Sequence, residues 1–275
     1  MTSLTVPPKH TDWIVDKGEK ITTSEGKEVI ILELDHTDDE VILSGWAKHF
    51  RDQYCDDSQI DLLRAGTSHS RSSYLKEIKF PDETQGLGPS IRSGDFGEIL
   101  VADYLQYRLG FWVPRTRYRS KTIRDESTKG SDILGFKFIE SDKSSPQDTL
   151  AIFESKTQFT GRAAENKLQE AVTHSIKDQM RKAESLNAIK QRFLDNGDAR
   201  EVEKVQRFQD SVGNPYKEIS GAAALFATPL FDADLLKATA TSEHPNSKQL
   251  VLLVIKGIDM MKLVHELYRR AANEA

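Results

Sequence analysis

Two strand-like segments of this chain carry charged residues where a buried strand normally carries apolar ones. Residues 130–139 include Asp132, and residues 149–158 include Glu154 and Lys156 in an otherwise apolar run. Side chains two positions apart on a strand point to the same face, so Glu154 and Lys156 share a face. Burying two carboxylates and an ammonium in a sheet is costly unless other groups compensate them. We therefore expect the two strands to be neighbours and to form a polar site.

A third acidic residue lies on the helix predicted over residues 91–109. Apolar residues follow Glu98 at three, four, seven and eleven positions, so Glu98 occupies the apolar stripe of this helix. We expect that stripe to face the sheet that carries Asp132. The alternative is a capping box, with Asp95 as the N-cap and Glu98 three positions later.

The composition is typical of a globular protein of one large or two modest domains. The chain has 275 residues, of which 37% are hydrophobic and 29% charged. It contains no run of 18 apolar residues that would predict a membrane helix, and the first residues lack the pattern of a signal peptide. The single cysteine, Cys55, excludes an intramolecular disulfide and a zinc site built from cysteines. We expect a cytoplasmic protein with no membrane contact.

The net charge of −5 is distributed unevenly along the chain. Residues 1–86 carry 10 Lys and Arg against 17 Asp and Glu, which leaves 28 against 26 for the rest. Residues 108–129, directly before Asp132, hold 7 basic against 2 acidic residues, and the last of them is Lys129. A local basic segment can steer a polyanion to a site even when the whole protein is acidic.

Six cations are therefore candidate contacts to DNA. Four belong to the basic segment and two lie at the start of a long polar helix predicted over 163–195: Arg115, Arg117, Arg119, Lys121, Arg162 and Lys167. The alternative for the basic segment is an exposed sheet edge that charge protects from aggregation. The alternative for the polar helix is a solvated surface helix.

The predicted elements indicate an α/β or α+β fold with a mixed β-sheet flanked by helices. Short strands are expected within 12–36, and Thr37 to Glu40 provides the N-cap and acidic first turn of a helix to about Gln53. The later elements are strands at 111–119, 130–139, 149–158, 222–228 and 250–255, and helices at 91–109, 163–195, 198–211 and 260–272. We place the meander 111–158 at the centre of the sheet. A Pro- and Gly-containing stretch suggests a boundary between an acidic α+β extension, 1–86, and a main domain, 87–275.

Three clustered carboxylates repel one another in a site of low dielectric. Mg²⁺, or Mn²⁺ in its place, relieves this repulsion by binding the oxygens of Glu98, Asp132 and Glu154. A metal in such a site lowers the pKa of a bound water and stabilises charge on phosphate oxygens. The alternative is a cross-strand ion pair on a solvated sheet face, worth roughly 0.2–1 kcal/mol.

Three further groups near Glu154 have candidate roles. The Lys156 ammonium can orient an attacking water or stabilise the transition state. The Ser155 backbone carbonyl is a possible additional metal ligand. Gln158 shares the strand face of Glu154 and can position water or phosphate.

The combination of these residues resembles the PD-(D/E)xK nuclease superfamily. The resemblance covers residues 90–180 and implies a restriction-endonuclease-like core that cleaves phosphodiesters with Mg²⁺. It implies that Asp132 and Glu154 bind metal, that Lys156 is the catalytic lysine and that Glu98 is the acid of the first helix. The residue before Asp132 is Ser131 rather than proline.

The segments 93–98, 130–136 and 153–156 are also similar to the HamA family, the nuclease subunits of Hachiman anti-phage defence. This closer resemblance implies a DNA nuclease that works with a superfamily 2 helicase, a HamB-like partner. The alternative is a catalytically quiet subunit that binds DNA or docks on the helicase. In either case the acidic extension 1–86 is a candidate surface for partner docking or for masking the basic site.

Overall fold

The computed structural model describes residues 6–126 and 130–275, so Lys129 of the basic segment lies outside the described residues. Within them, seven strands form one mixed sheet: β1 (Ile14–Val15), β2 (Lys20–Thr22), β3 (Glu28–Leu34), β4 (Ile133–Lys137), β5 (Thr149–Gln158), β6 (Lys217–Ala227) and β7 (Leu250–Gly257). The same residues form eight α-helices: α1 (Glu40–Tyr54), α2 (Asp57–Arg64), α3 (Arg71–Tyr74), α4 (Gly88–Asp103), α5 (Lys167–Asp195), α6 (Ala199–Gln206), α7 (Ala233–Lys237) and α8 (Met260–Asn273). The α/β prediction with a mixed, helix-flanked sheet is confirmed.

The sheet has the strand order β1-β3-β7-β6-β5-β4, and β2 also pairs with β3. The strands β3, β7, β6 and β5 are parallel to one another, whereas β1 and β2 run antiparallel to β3 and β4 runs antiparallel to β5. Because β4 is the last strand in this order, the prediction that the meander 111–158 lies at the centre is wrong. The long crossovers between parallel strands place β6 and β7 there instead.

The predicted strand at 111–119 is also absent from the described residues. Only Trp112 pairs with the sheet, through an isolated bridge to Phe136. Pro114 follows two positions later and has no N–H to donate to a ladder. Beyond it the chain turns, and Arg115 and Arg117 reach acidic side chains of the interior. The alternation of arginines therefore reflects buried ion pairs rather than one face of a strand.

Helices cover both faces of the sheet, and β5 shows which residues face which layer. Ala151 and Phe153 pack in the core that contains α1, α4 and α8, whereas Leu150 and Ile152 pack against α5. Glu154 and Lys156 continue the even-numbered series by the two-residue period of a strand. They therefore follow the face that α5 covers.

The helix boundaries follow the predicted capping signals. The Asp39 carboxylate accepts hydrogen bonds from the N–H groups of Val41 and Ile42 at the start of α1. A π-helical turn, residues 104–108, continues α4, and Gly110 ends this segment with a φ of +74°. The helices predicted at 163–195 and 260–272 correspond to α5 and α8.

The acidic segment 1–86 contributes β1, β2 and β3 to the same sheet as the rest of the chain. β3 pairs in parallel with β7 along the register Val29–Leu252 to Leu34–Gly257. Side chains of α1 and α8 belong to one hydrophobic cluster. Truncation near residue 86 would therefore remove a strand next to the sheet centre. Across residues 6–126 and 130–275, no helix combines the length and apolar character needed to cross a bilayer.

Candidate active site

The residues predicted from the sequence line one open cleft of about 930 Å³. It lies between α4, the start of β4, the end of β5 and the N-terminal half of α5. The charged residues around it are Asp95, Glu98, Asp132, Glu154, Lys156, Lys167, Glu170, His174, Arg181 and Glu184. The structure therefore brings Glu98, Asp132, Glu154 and Lys156 to the same cleft.

Close packing of α4 on β5 positions Glu98. A Cβ atom on Gly97 would lie 2.4 Å from the Thr157 side chain, so the helix approaches the strand as closely as only glycine permits. One turn earlier, the Ser93 and Thr157 hydroxyl oxygens lie 2.7 Å apart. Asp95 lies inside the helix, where its carboxylate accepts hydrogen bonds from Tyr54 and Lys121. The capping-box interpretation of Asp95 and Glu98 is therefore wrong, because α4 begins seven residues before Asp95.

Arg117 connects Glu98 with Asp132. Its Nε atom lies 3.0 Å from a Glu98 oxygen, and its Nη2 atom donates to Asp132 Oδ1 at 2.9 Å. The other Asp132 oxygen accepts the Ser155 N–H at 3.0 Å, which fixes the carboxylate against β5. The Tyr118 hydroxyl donates to Glu98. Both acids are thus held in place before any ligand binds.

Glu154 and Lys156 form the second pair of the cleft. The Lys156 ammonium donates to Glu154 Oε1 at 2.5 Å and lies 3.4 Å from the Ser155 carbonyl oxygen. The Nδ1 atom of His174, on α5, lies 3.5 Å from the same Glu154 oxygen. The shared strand face of Glu154 and Lys156 is therefore confirmed by their contact.

Burial and mutual repulsion perturb the acids of the cleft. Burial, reinforced by the charge of Asp132, raises the pKa of Glu98 to about 8, although Arg117 opposes the shift. Burial and Asp132 likewise raise the pKa of Glu154 to about 8 against the effect of Lys156. Asp178, on α5, is a fourth acid, and burial raises its pKa to about 6. At neutral pH, burial and the charge of Asp132 therefore favour the protonated form of Glu98 and Glu154, whereas Asp178 stays ionised.

The donor set fits a divalent cation by charge and by ligand type. Four ionised carboxylates with the cations Arg117 and Lys156 leave a net charge of −2, which one divalent ion would neutralise. The Asp178 Oδ2 atom is buried and has no hydrogen-bond partner. Carboxylate oxygens are the ligands that Mg²⁺ prefers. In the described part of the chain, the carboxylate oxygens of Glu98, Asp132 and Glu154 do not all lie within 4.8 Å of one another.

The candidate DNA contacts have mixed positions. Arg115 donates to Asp103 and Gln106, and Lys121 pairs with Asp95 while only 4% of its side chain is exposed. Arg119 is partly exposed and donates to the Asp52 carbonyl. Arg162 is exposed, and Lys167 borders the cleft in ion pairs with Glu165 and Glu170. Three of the six cations, Arg115, Arg117 and Lys121, therefore serve buried acids of the fold.

Gln158 is engaged away from the acids. Its amide donates to the Ala163 carbonyl at 2.9 Å and accepts the Glu165 N–H at 2.9 Å. It fixes the loop between β5 and α5, and a direct role toward water or phosphate stays a prediction.

Sequence reasoning missed three residues of α5 that reach the site. Glu170, His174 and Asp178 recur every four positions and lie on one face of the helix. The sequence of this polar helix predicts either DNA contacts at its start or a solvated surface. The four-residue spacing was visible in the sequence, but it indicates a site only once that face of α5 is known to cover Glu154.

A second cluster of charged side chains surrounds Asp103. The Nε2 atoms of His10 and His49 lie 2.9 Å from its two oxygens, and Arg115 donates to it at 2.7 Å. Among the described residues, His10, His49 and Asp103 are the one group of three with ligand atoms all within 4.8 Å. The ring of His10 stacks on Trp46 at 4.5 Å between centroids.

The Asp103 cluster is compensated without a metal. Burial alone would raise the pKa of Asp103, but His49, Arg115 and the bond to His10 hold it well below its ordinary value. The His10 Nδ1 atom is buried without a partner, whereas a metal-bound histidine normally donates its other N–H. This cluster therefore connects the N-terminal segment, α1 and α4 as a structural network.

Comparison with known proteins gives one match. A family model described as HamA matches residues 9–271, nearly the whole chain. No curated protein and no solved structure matches the chain significantly.

Proposed function

The chain belongs to the HamA family, which associates it with Hachiman anti-phage defence, and we propose that it is the nuclease of such a system. The substrate would be DNA, cleaved at phosphodiester bonds with Mg²⁺ or Mn²⁺. A HamB-like superfamily 2 helicase would be its partner. The observation that carries the proposal is that Glu98, Asp132, Glu154 and Lys156 meet in one cleft. Burial and the charge of Asp132, which raise the pKa of both Glu98 and Glu154 to about 8, support it.

In this proposal Glu98, Asp132 and Glu154 hold the divalent cation, and Asp178 adds negative charge behind them. The bound cation would supply a Lewis acid for a phosphate oxygen and lower the pKa of a coordinated water. The Ser155 N–H keeps Asp132 oriented by its bond to Oδ2. Arg117 pairs with both Glu98 and Asp132 and so limits their mutual repulsion.

Lys156 would act on the phosphodiester. Its ammonium now contacts Glu154 at 2.5 Å. If Glu154 were bound to a cation, the Lys156 ammonium would be able to donate a hydrogen bond to a phosphate oxygen or to the attacking water. A donor placed where charge develops acts most strongly in a partly buried site. Burial opposes the charge of Lys156, but Glu154 raises its pKa, so it stays protonated.

The test is cleavage of plasmid and linear DNA by the purified chain, alone and with its helicase partner and ATP. We expect cleavage with Mg²⁺ or Mn²⁺, loss of cleavage in EDTA, and loss in Glu154→Gln. Lys190→Gln is the matched control, because its ammonium donates to Gln209 rather than to an acid of the cleft. Equal cleavage by the native chain and Glu154→Gln in all conditions would refute the assignment.

The direct contact between Lys156 and Glu154 favours a second candidate, a catalytically quiet DNA-binding or adaptor subunit. In that case the pair is a permanent ion pair and the cleft does not take up a cation. Calorimetric titration with Mn²⁺ separates the two functions. Binding that disappears in Glu154→Gln supports the nuclease, and the absence of binding supports the adaptor.

A further inference from the structure

Helix α5 forms one wall of three adjoining cavities. The acidic cleft adjoins a cavity of about 200 Å³, and Glu98, Asp132 and Glu184 line both. That cavity adjoins a third one of about 670 Å³, and Arg115, Thr116 and Arg192 line both. Arg192, near the C-terminal end of α5, is therefore placed between the second and third cavities.

Arg192 is a half-buried cation with no anionic partner. Across residues 6–126 and 130–275, its guanidinium makes neither an ion pair nor a hydrogen bond, and the same holds for the ammonium of Lys79. Arg119 borders the same cavity, but it pairs with Asp56 at 3.5 Å. This arrangement differs from that of Arg115, Arg117 and Lys121, each of which contacts a buried acid.

An unpaired guanidinium in a partly apolar cavity carries a desolvation cost that an anionic ligand would offset. Burial, with the nearby charge of Arg117, lowers the pKa of Arg192, which indicates that surrounding acids do not compensate it. Asp195 and Asp198 also border the third cavity, but Asp195 accepts a bond from Gln191. Among the described residues, two cations of this cavity therefore have no anionic partner, Lys79 and Arg192.

We propose that Arg192, with Lys79, binds a backbone phosphate of a nucleic-acid strand next to the phosphodiester in the acidic cleft. This inference rests on the proposed nuclease function and adds a substrate subsite to it. A polymer with a phosphate at every residue extends naturally from the cleft into adjoining cavities. A guanidinium can bind phosphate through two parallel hydrogen bonds, which gives position as well as affinity.

The test measures binding in the Lys156→Ala background, so that cleavage does not interfere. Fluorescence anisotropy gives the affinity for a labelled single strand of about 12 nucleotides, within the usual range of site sizes. Arg192→Gln and Lys79→Gln should each weaken binding and reduce the slope of log K against log salt by about 0.7. Lys190→Gln should leave the slope unchanged. Unchanged slopes in both Arg192→Gln and Lys79→Gln would overturn the proposal.

A second measurement separates this subsite from the catalytic assignment. Bis(p-nitrophenyl) phosphate has one phosphate and cannot reach a neighbouring subsite. With Lys156 intact, Arg192→Gln should leave its hydrolysis unchanged while raising KM for the oligonucleotide. Equal losses on both substrates would instead make Arg192 part of the reacting site and refute the subsite. If the native chain cleaves neither substrate, alone or with its helicase partner and ATP, the nuclease proposal fails. The salt slopes still decide whether the third cavity binds phosphate.

Discussion

Two groups of buried carboxylates in this protein have opposite electrostatic environments. Around Asp103, His10, His49 and Arg115 supply more donors than one carboxylate needs, and the pKa of Asp103 is held well below its ordinary value. In the cleft, the two cations Arg117 and Lys156 are shared among Glu98, Asp132 and Glu154, and the pKa of Glu98 and of Glu154 rises to about 8. Burial is similar in the two regions, so the ratio of cations to carboxylates decides the direction of the shift.

This difference separates a structural role from a chemical one. A carboxylate whose charge is balanced by neighbouring cations stabilises the fold, because removing it leaves those cations buried without a partner. A cluster of carboxylates with too few neighbouring cations lowers the stability of the fold. Such a cluster is typical of a site where a ligand supplies the missing positive charge. The predictions below follow from this contrast.

The largest expected effect is the loss of stability in Asp103→Ala. Removing this carboxylate leaves His10 and Arg115 without their common acceptor, and breaking a buried pair from one side costs about 3–5 kcal/mol. Denaturant titration of the purified chain measures the free energy of unfolding. A change below about 1 kcal/mol, within the range of exposed ion pairs, would place the network among surface interactions.

Lys156→Ala should have the next largest effect, on catalysis rather than on stability. Removing one donor aimed at developing charge slows a reaction about 100- to 1000-fold, or roughly 2.7–4 kcal/mol in the barrier. Initial rates of DNA cleavage with saturating Mg²⁺ measure the change. The fold should remain intact, because Lys156 is partly exposed and contacts a single carboxylate. A rate within threefold of the native chain would contradict a catalytic role.

Local patterns predicted the elements that carry the site. The two-residue period placed Glu154 and Lys156 on one face of β5, and the apolar stripe of α4 placed Glu98 toward the sheet. These predictions succeeded because each depends on the geometry of a single element. The structure confirms the helices α1, α4, α5 and α8 for the same reason.

What the sequence did not reveal depends on contacts between distant segments. The arginines of 111–119 had the alternation of a strand, yet Arg115 and Arg117 are drawn to Asp103, Glu98 and Asp132. Tertiary pairing therefore overrode a local pattern. Asp178 lies 46 residues after Asp132, and only the packing of α5 on β5 brings them together. The position of β4 at the sheet edge likewise depends on where the crossovers run.

Metal binding should stabilise the cleft and leave the Asp103 network unaffected. A ligand at 100 times its Kd raises the free energy of unfolding by about 2.7 kcal/mol, provided that it binds only the folded state. We expect Mg²⁺ to raise the melting temperature of the native chain and to have no effect on Glu154→Gln. His49→Gln, from the compensated cluster, should keep the full response to Mg²⁺. A response that survives in Glu154→Gln but is lost in His49→Gln would reverse the assignment of the two regions.

The smallest effect is on how stability depends on pH, and its sign should differ between the two regions. In metal-free protein the pKa of Glu154 is raised from 4.5 to about 8, so the folded state holds a proton that the unfolded state releases. The stability that this proton contributes is fully present below pH 4.5 and is lost as the pH rises through 8. Burial instead lowers the pKa of His10 below 6.5, so that region loses stability as the pH falls.

Unfolding curves in EDTA between pH 5 and pH 8.5 resolve these opposing contributions. Glu154→Gln should remove part of the loss of stability at high pH (the alkaline limb), because glutamine has no proton to release. It should not change the loss of stability at low pH (the acid limb), whereas His10→Gln should change the acid limb alone. With Mg²⁺ present the alkaline loss should shrink in the native chain, since a cation binds the deprotonated carboxylates. An alkaline limb that is identical in the native chain and Glu154→Gln, with and without Mg²⁺, would mean that the cleft acids are compensated after all. The contrast with Asp103 would then no longer support the proposal that the cleft is the active site.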